Sequence, residues 1–213
     1  MKLSRRFLNY VLLEEILMFY SIFKVICKFV FGVIFRTRVI GAENVPSEGS
    51  LIVAANHLSN WDPPFLGTFL GREICYMAKE ELFKNPIFAA AIRALHVFPV
   101  KRGTADKTAI KHAVKLLKDG KCLGIFPEGT RSKTGKIGKA ESGVGLITAM
   151  TKAPVVPALI VDTNKIFGEK MFPQLSVVYG KPMYFNGNIK DKEALAEFSQ
   201  FIMTEIEKLQ NML

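Results

Sequence analysis

Leu51-Ile52-Val53-Ala54-Ala55 is the stretch that most restricts what this chain can fold into. Five apolar residues in a row, β-branched at two positions, read as a strand buried in a core. The runs 122–125, 97–100 and 155–161 read as further apolar strands, 74–77 and 175–179 as strands too, and Val39-Ile40 as a short one. Helical patterns lie between them. One starts at Asp62-Pro63-Pro64, because proline is tolerated in a first turn. Others cover 83–95, with Pro86 in the first turn, 104–118, ended by Gly120, and 142–150. Asp191 caps a last helix with Leu195, Phe198, Ile202, Ile206 and Leu209 three or four apart. Strands alternating with helices predict an α/β fold, with a largely parallel or mixed central sheet flanked by helices. Pro157, inside the run 155–161, predicts an edge strand or a bulge there. At 213 residues the chain fits one domain with a sizeable core.

The loop after 51–55 is Asn56-His57-Leu58-Ser59-Asn60-Trp61-Asp62. It puts an imidazole and a carboxylate on one strand-to-helix connection, close enough to hydrogen-bond. A carboxylate that holds one ring nitrogen leaves the other to take a proton near neutral pH. No Ser or Cys nucleophile is evident nearby, so His57 would act on a hydroxyl brought by a substrate. Two plainer readings stand beside this one: Asp62 as an ordinary helix N-cap, and His57 as a satisfied loop histidine.

Phe126-Pro127-Glu128-Gly129-Thr130-Arg131-Ser132 also follows a buried strand, at the kind of strand end where open α/β sheets bind ligands. An arginine fork matches phosphate oxygens. Glu128 could hold that arginine or accept from a substrate hydroxyl. The plain alternative is a polar turn with a weak local ion pair. Val97-Phe98-Pro99-Val100-Lys101-Arg102-Gly103 ends a strand in two cations, which suits an anion or, equally, a solvated turn. The Gly/Lys-rich stretch 133–139 is a candidate flap over the site.

In this order and spacing, these blocks and the Val-Pro strand at 155–161 resemble the glycerophospholipid acyltransferase family, most closely its 1-acyl-sn-glycerol-3-phosphate acyltransferases. The resemblance covers roughly residues 38–182. It implies that His57 is the general base and Asp62 its orienting partner. It implies that Arg102, Glu128, Gly129 and Arg131 line a glycerol-phosphate site, with Thr130 in the same block. Lys101 is added to the substrate-binding set on charge alone. The implied reaction moves an acyl group from an acyl-carrier-protein or coenzyme A thioester to the sn-2 hydroxyl of 1-acyl-sn-glycerol 3-phosphate, forming phosphatidic acid. No cofactor or metal is implied. Glycerol 3-phosphate or another lysolipid are the rival acceptors. A thioester hydrolase and a non-catalytic membrane-binding protein are the rival functions. One position departs from the family pattern: His96 stands where the second block often has glycine. A packing role is expected for it.

The net charge is +10, half of it within residues 1–40. Basic residues set among apolar ones there favour an anionic membrane over nucleic acid, for which no zinc-finger or ribonucleoprotein-type motif is present. Cys27, Cys75 and Cys122 have no metal-ligand spacing and argue for a reducing compartment. His112, on a helical pattern beside Lys111, is expected to face solvent.

Residues 16–35 are nearly continuously apolar, interrupted by Ser21, Lys24 and Lys28. Their thirteen Leu, Ile, Phe and Val residues would gain roughly 4–8 kcal/mol on insertion at a bilayer centre, against roughly 5–7 kcal/mol lost at the two lysines. That balance and the polar stripe predict a helix lying in the membrane interface, with 7–13 as a partner helix. The alternative is a core helix. The expected division is a membrane-associating segment 1–35 and an acyltransferase domain 36–213, peripheral or monotopic on the cytoplasmic face of the cell membrane, with membrane lipids and the thioester carrier as partners.

Overall fold

The computed structural model describes residues 18, 20–101, 106–168 and 171–213. Within these, β1 (Arg38–Ile40), β2 (Leu51–Ala55), β3 (Ile74–Lys79), β4 (Val97–Val100), β5 (Cys122–Ile125), β6 (Val155–Val161) and β7 (Ser176–Tyr179) form one sheet in the order β1-β7-β6-β2-β5-β3-β4. Only the β6–β7 pair is antiparallel. The helices are α1 (Asp62–Phe69), α2 (Pro86–Ala94), α3 (Lys107–Lys118), α4 (Gly143–Thr151) and α5 (Lys192–Lys208). The expected α/β architecture, a mixed sheet between helices, is what forms.

β2 shows why. Its residues are all buried, and they alternate between two cores. Ile52 and Ala54 pack with Ala113 and Leu117 of α3, Ile147 of α4 and Ile202 and Ile206 of α5. Leu51, Val53 and Ala55 pack with Phe65 and Leu66 of α1 and with Cys27, Phe31 and Phe35 of the N-terminal helix. A strand apolar on both sides needs cover on both sides.

Two expectations change in detail, and a third falls partly outside the described residues. First, β6 is interior, paired with β2 and β7, although it carries Pro157. The Pro157 carbonyl accepts from Gly180 N (2.8 Å) on the β7 side. The missing donor therefore faces the point where the β7 ladder ends, and costs no bond to β2. Gly180 leaves room for the ring, since a Cβ there would lie 2.8 Å from Pro157 Cγ. Second, the helix expected from residue 83 begins at Pro86. Asn85 accepts from Ile87 N and Phe88 N (both 3.0 Å), and Glu80–Phe83 forms a separate 3₁₀ turn. Third, α3 is capped by Asp106, which accepts from Thr108 N (3.0 Å) and Ala109 N (3.1 Å). The proposed start at 104 falls outside the described residues. Asp191 caps α5 as expected.

The N-terminal helix runs through residues 20–29 into a π-helical turn, Val30–Ile34. It buries Cys27, Phe31 and Phe35 against the domain and leaves Val25, Phe29 and Val33 exposed. It is thus docked on one face and apolar on the other, with Lys28 exposed and Lys24 half-buried. The partner helix expected over 7–13 lies outside the described residues. No helix among the described residues is long and apolar enough to cross a membrane.

Candidate active site

β5 and β6 flank β2, and both run parallel to it. The C-terminal ends of the three strands therefore lie side by side. Each delivers a side chain to one place: His57 after β2, Glu128 after β5 and Thr163 after β6.

The chain leaves the sheet at Asn56 because its side chain takes over the ladder. Asn56 Nδ2 donates to Ile160 O (2.9 Å), and its Oδ1 accepts from Ile160 N (2.7 Å). With those β6 groups satisfied, the backbone is free to turn. The turn brings His57 Nδ1 to 2.7 Å from Asp62 Oδ2. The same oxygen accepts from Leu58 N (2.6 Å) and Ser59 N (2.8 Å). Oδ1 accepts from the Thr163 hydroxyl. Asp62 is fully buried and makes no cap bond to its own helix, so the plain N-cap reading does not describe it. Oδ2 already accepts from two backbone N–H groups, an arrangement that suits the tautomer with hydrogen on Nδ1 and the lone pair on Nε2. Nε2 makes no hydrogen bond within the described residues, and His57 is 8 % exposed.

The imidazole is held flat from one side. Phe126 stacks on it, centroids 4.2 Å apart and planes 20° from parallel. Tyr76 lies beyond Phe126 at 6.2 Å and 10°. Its hydroxyl donates to Pro63 O (2.8 Å), tying the stack back to the start of α1. Gly124 makes space for that ring: a Cβ there would sit 2.3 Å from Tyr76 Cε1. Burial raises the Tyr76 phenol well above its ordinary range, so it stays a neutral donor.

Glu128 ties its own connection together and joins it to the histidine loop. Oε1 accepts from His57 N (3.0 Å), and Oε2 accepts from Gly138 N (3.2 Å). Ser132 N donates to His57 O (2.8 Å), and Ser132 Oγ donates to Lys136 O (2.7 Å). The stretch expected as a flap is therefore fastened at both the histidine loop and the glutamate. Gly129 turns the block with φ +66°. Thr130 and Arg131 are exposed, and Arg131 has no ion-pair partner among the described residues; the local Glu128–Arg131 pair does not form.

Lys101 is not brought to this cluster. It follows β4, three strands from β2 in the sheet order, which places it about 14 Å along the edge at the usual strand spacing. Its ammonium faces Glu80 at 3.9 Å. Arg102 lies outside the described residues. His96 sits at the other end of β4, stacked on Tyr20 at 5.2 Å, which fits the packing role. Its φ of +59° is a conformation that glycine adopts freely, a physical reason for the glycine often found at this point of the block. His112 is exposed, as expected, its ring against Phe98 (4.5 Å).

Thr163, Phe126, Tyr76 and Gly124 were not singled out from sequence as parts of the site. Phe126 opens the 126–132 block, and its aromatic character was the available signal. Thr163 had only its place at a strand end.

The acyltransferase family model matches residues 36–161, more than half of the chain, and takes in both the His57–Asp62 loop and the Glu128 block. The chain belongs to the acyltransferase family. This makes it an acyl-transferring enzyme, with the family's match ending at the strand that precedes Thr163. It is 34 % identical over 182 residues to a 1-acyl-sn-glycerol-3-phosphate acyltransferase of Bacillus subtilis, covering 83 % of this chain and 89 % of that one. It is 32 % identical over 158 residues to the chloroplastic protein BAT2 of Brassica napus, named for the same activity, spanning 70 % of this chain and 46 % of that longer one. Its fold is similar to the crystal structure of the 1-acyl-sn-glycerophosphate acyltransferase PlsC from Thermotoga maritima, with a TM-score of 0.69 and 26 % identity, covering 89 % of this chain and 79 % of the other.

Proposed function

We propose that this acyltransferase moves an acyl group from an acyl-carrier-protein or coenzyme A thioester to the sn-2 hydroxyl of 1-acyl-sn-glycerol 3-phosphate, making phosphatidic acid for phospholipid synthesis. The observation that carries the reading is the His57–Asp62 pair, with no hydroxyl or thiol hydrogen-bonded to Nε2 among the described residues. In this reading Nε2 takes the proton of the acceptor hydroxyl as its oxygen attacks the thioester carbonyl carbon. The tetrahedral adduct collapses, the carbon–sulfur bond breaks, and the Nε2 proton goes to the departing sulfur. The products are an ester and a free thiol. Asp62 stabilises the imidazolium that exists between the two transfers.

Arg131, exposed and without an ion-pair partner among the described residues, is the phosphate ligand on the block that Ser132 and Glu128 tie to the histidine loop, with Arg102 as its partner. Glu128, Gly129 and Thr130 shape the loop that presents Arg131. Glu128 already spends both carboxylate oxygens on backbone N–H groups, which supports a positioning role for it. Lys101 contributes to the field at the far end of the edge.

The enzyme would work at the cytoplasmic face of the cell membrane, held there by the N-terminal segment. Three buried free cysteines and the exposed apolar face of that helix support this placement. The test is a reaction of the purified full chain with each thioester, in the presence of lysophosphatidate, glycerol 3-phosphate or no acceptor. Phosphatidate formed with stoichiometric thiol release only when lysophosphatidate is present is the expected result. Free fatty acid without acceptor would mean hydrolysis instead.

A further inference from the structure

Trp61 is the only tryptophan of the chain, and it directly precedes Asp62. Its ring is 44 % exposed. It is not isolated. It meets Phe31 of the N-terminal helix edge-on at 6.4 Å, and Phe167 at 6.3 Å. Phe167 lies on the connection from β6 to β7, together with Met171 and Phe172. Because β6 ends and β7 begins at the edge where His57 emerges, this connection forms one lip of the site.

Among the polar Asn164, Lys165 and Gln174, this lip exposes three large apolar side chains that a rim facing only water has no use for. Phe167 and Met171 are each 65 % exposed, and Phe172 is nearly half exposed. Phe167 holds φ +58°, which a bulky side chain rarely adopts. Phe167 and Phe172 contact each other (6.5 Å) and both contact Phe35, at 6.4 and 5.8 Å. The exposed rings are thus continuous with the helix whose other face presents Val25, Phe29 and Val33. Exposed cations, Lys28 and Arg36, flank this surface. A large apolar surface edged by cations fits an anionic bilayer better than a protein partner or water.

We propose that the β6–β7 lip and Trp61 enter the lipid interface together with the outer face of the N-terminal helix. The mouth of the His57 site then opens within the headgroup layer. The inference rests on the proposed lipid acceptor, and adds that the catalytic rim itself, not the helix alone, touches lipid. A lysolipid could reach Nε2 without its acyl chain leaving the bilayer.

Trp61 is its own probe. The full chain is mixed with vesicles of phosphatidylglycerol and phosphatidylcholine, with and without brominated acyl chains, and Trp61 emission is read beside co-sedimentation. The expected result is a blue shift on binding and quenching by bromines near the headgroup end of the chains. Phe167→Ser with Phe172→Ser should lower vesicle binding about tenfold or more, as two half-exposed aromatic rings lose their lipid contact. The folded circular-dichroism spectrum and turnover of a short-chain, monomeric acceptor should be retained. Co-sedimentation with unmoved, unquenched emission would overturn the inference while leaving membrane association standing. No co-sedimentation would remove both. A lipid-independent blue shift that grows with protein concentration would make the lip a contact between copies and would also overturn it.

Discussion

Thr163 donates its hydroxyl hydrogen bond to Asp62 Oδ1, the carboxylate oxygen that His57 does not use. The two residues are 101 apart in sequence, and both are buried. The bond closes a chain of dependence: β6 positions Thr163, Thr163 fixes the carboxylate, and the carboxylate fixes the imidazole tautomer. Thr163→Val keeps the shape and leaves Oδ1 short of a donor, at about 1–3 kcal/mol. Rates should fall by up to about 10²-fold through kcat, with the acceptor KM little changed, and the pH profile should move. Thr163→Ser should restore both. A Val variant with the normal pH–rate profile would show that the bond is merely structural.

His57→Ala should lower transfer by roughly 10²–10⁴-fold with the fold intact. Asp62→Asn separates geometry from charge. An amide oxygen can still accept from His57, Leu58 and Ser59, while its NH₂ can donate to Thr163, so the network survives. Turnover should nevertheless fall, because a neutral amide supports an imidazolium poorly. Normal melting with reduced kcat is the expected pair of results. Normal kcat would mean that Asp62 serves the loop alone.

Gly124→Ala should damage the site without touching it. The new methyl would collide with the Tyr76 ring, which backs Phe126 and through it His57. The cost is that of an overpacked core, about 1–3 kcal/mol, with a fall in Tm of several degrees and a lower kcat. Calorimetry and kinetics on one preparation check both.

Arg131→Ala should reduce kcat/KM for the acceptor roughly 10- to 100-fold, the worth of one or more charge-assisted bonds to phosphate. The constants for the thioester should hardly move. Lys101→Ala should matter less, because its ammonium faces Glu80 and stands at the far end of the sheet edge. Steady-state kinetics with each substrate varied in turn would expose the opposite ranking.

Cys122 predicts an alkaline limit on stability. Burial pushes its thiol from 9.0 up to about 12. The raised value means that the folded protein keeps a proton which the unfolded chain loses. The stabilisation is complete below pH 9 and is lost as pH rises from 9 towards 12, at about 1.4 kcal/mol per pH unit. Cys122→Ala should make the fall of denaturant-unfolding stability across that window shallower by that one proton, the other buried thiols and phenols keeping their share. It should leave the slope between pH 6 and 8 unchanged.

The local pieces were legible in the order of residues. His57 and Asp62 lie five residues apart on one strand-to-helix connection, and a contact that short needs only the loop to close. The unbroken apolar run at β2 required cover on both faces, and Asp191 announced its helix by side-chain bonds to its own neighbours. Whatever depends on strand order emerged only from the assembled sheet. Nothing in the run 155–161 says that it lies between β2 and β7, so Pro157 read as an edge signal. Only that placement shows its missing donor falling where a ladder ends. For the same reason Thr163 was invisible as a partner of Asp62. Runs of buried strands are alike in composition, and which of them become neighbours is settled by the packing of the whole sheet between its two helical layers.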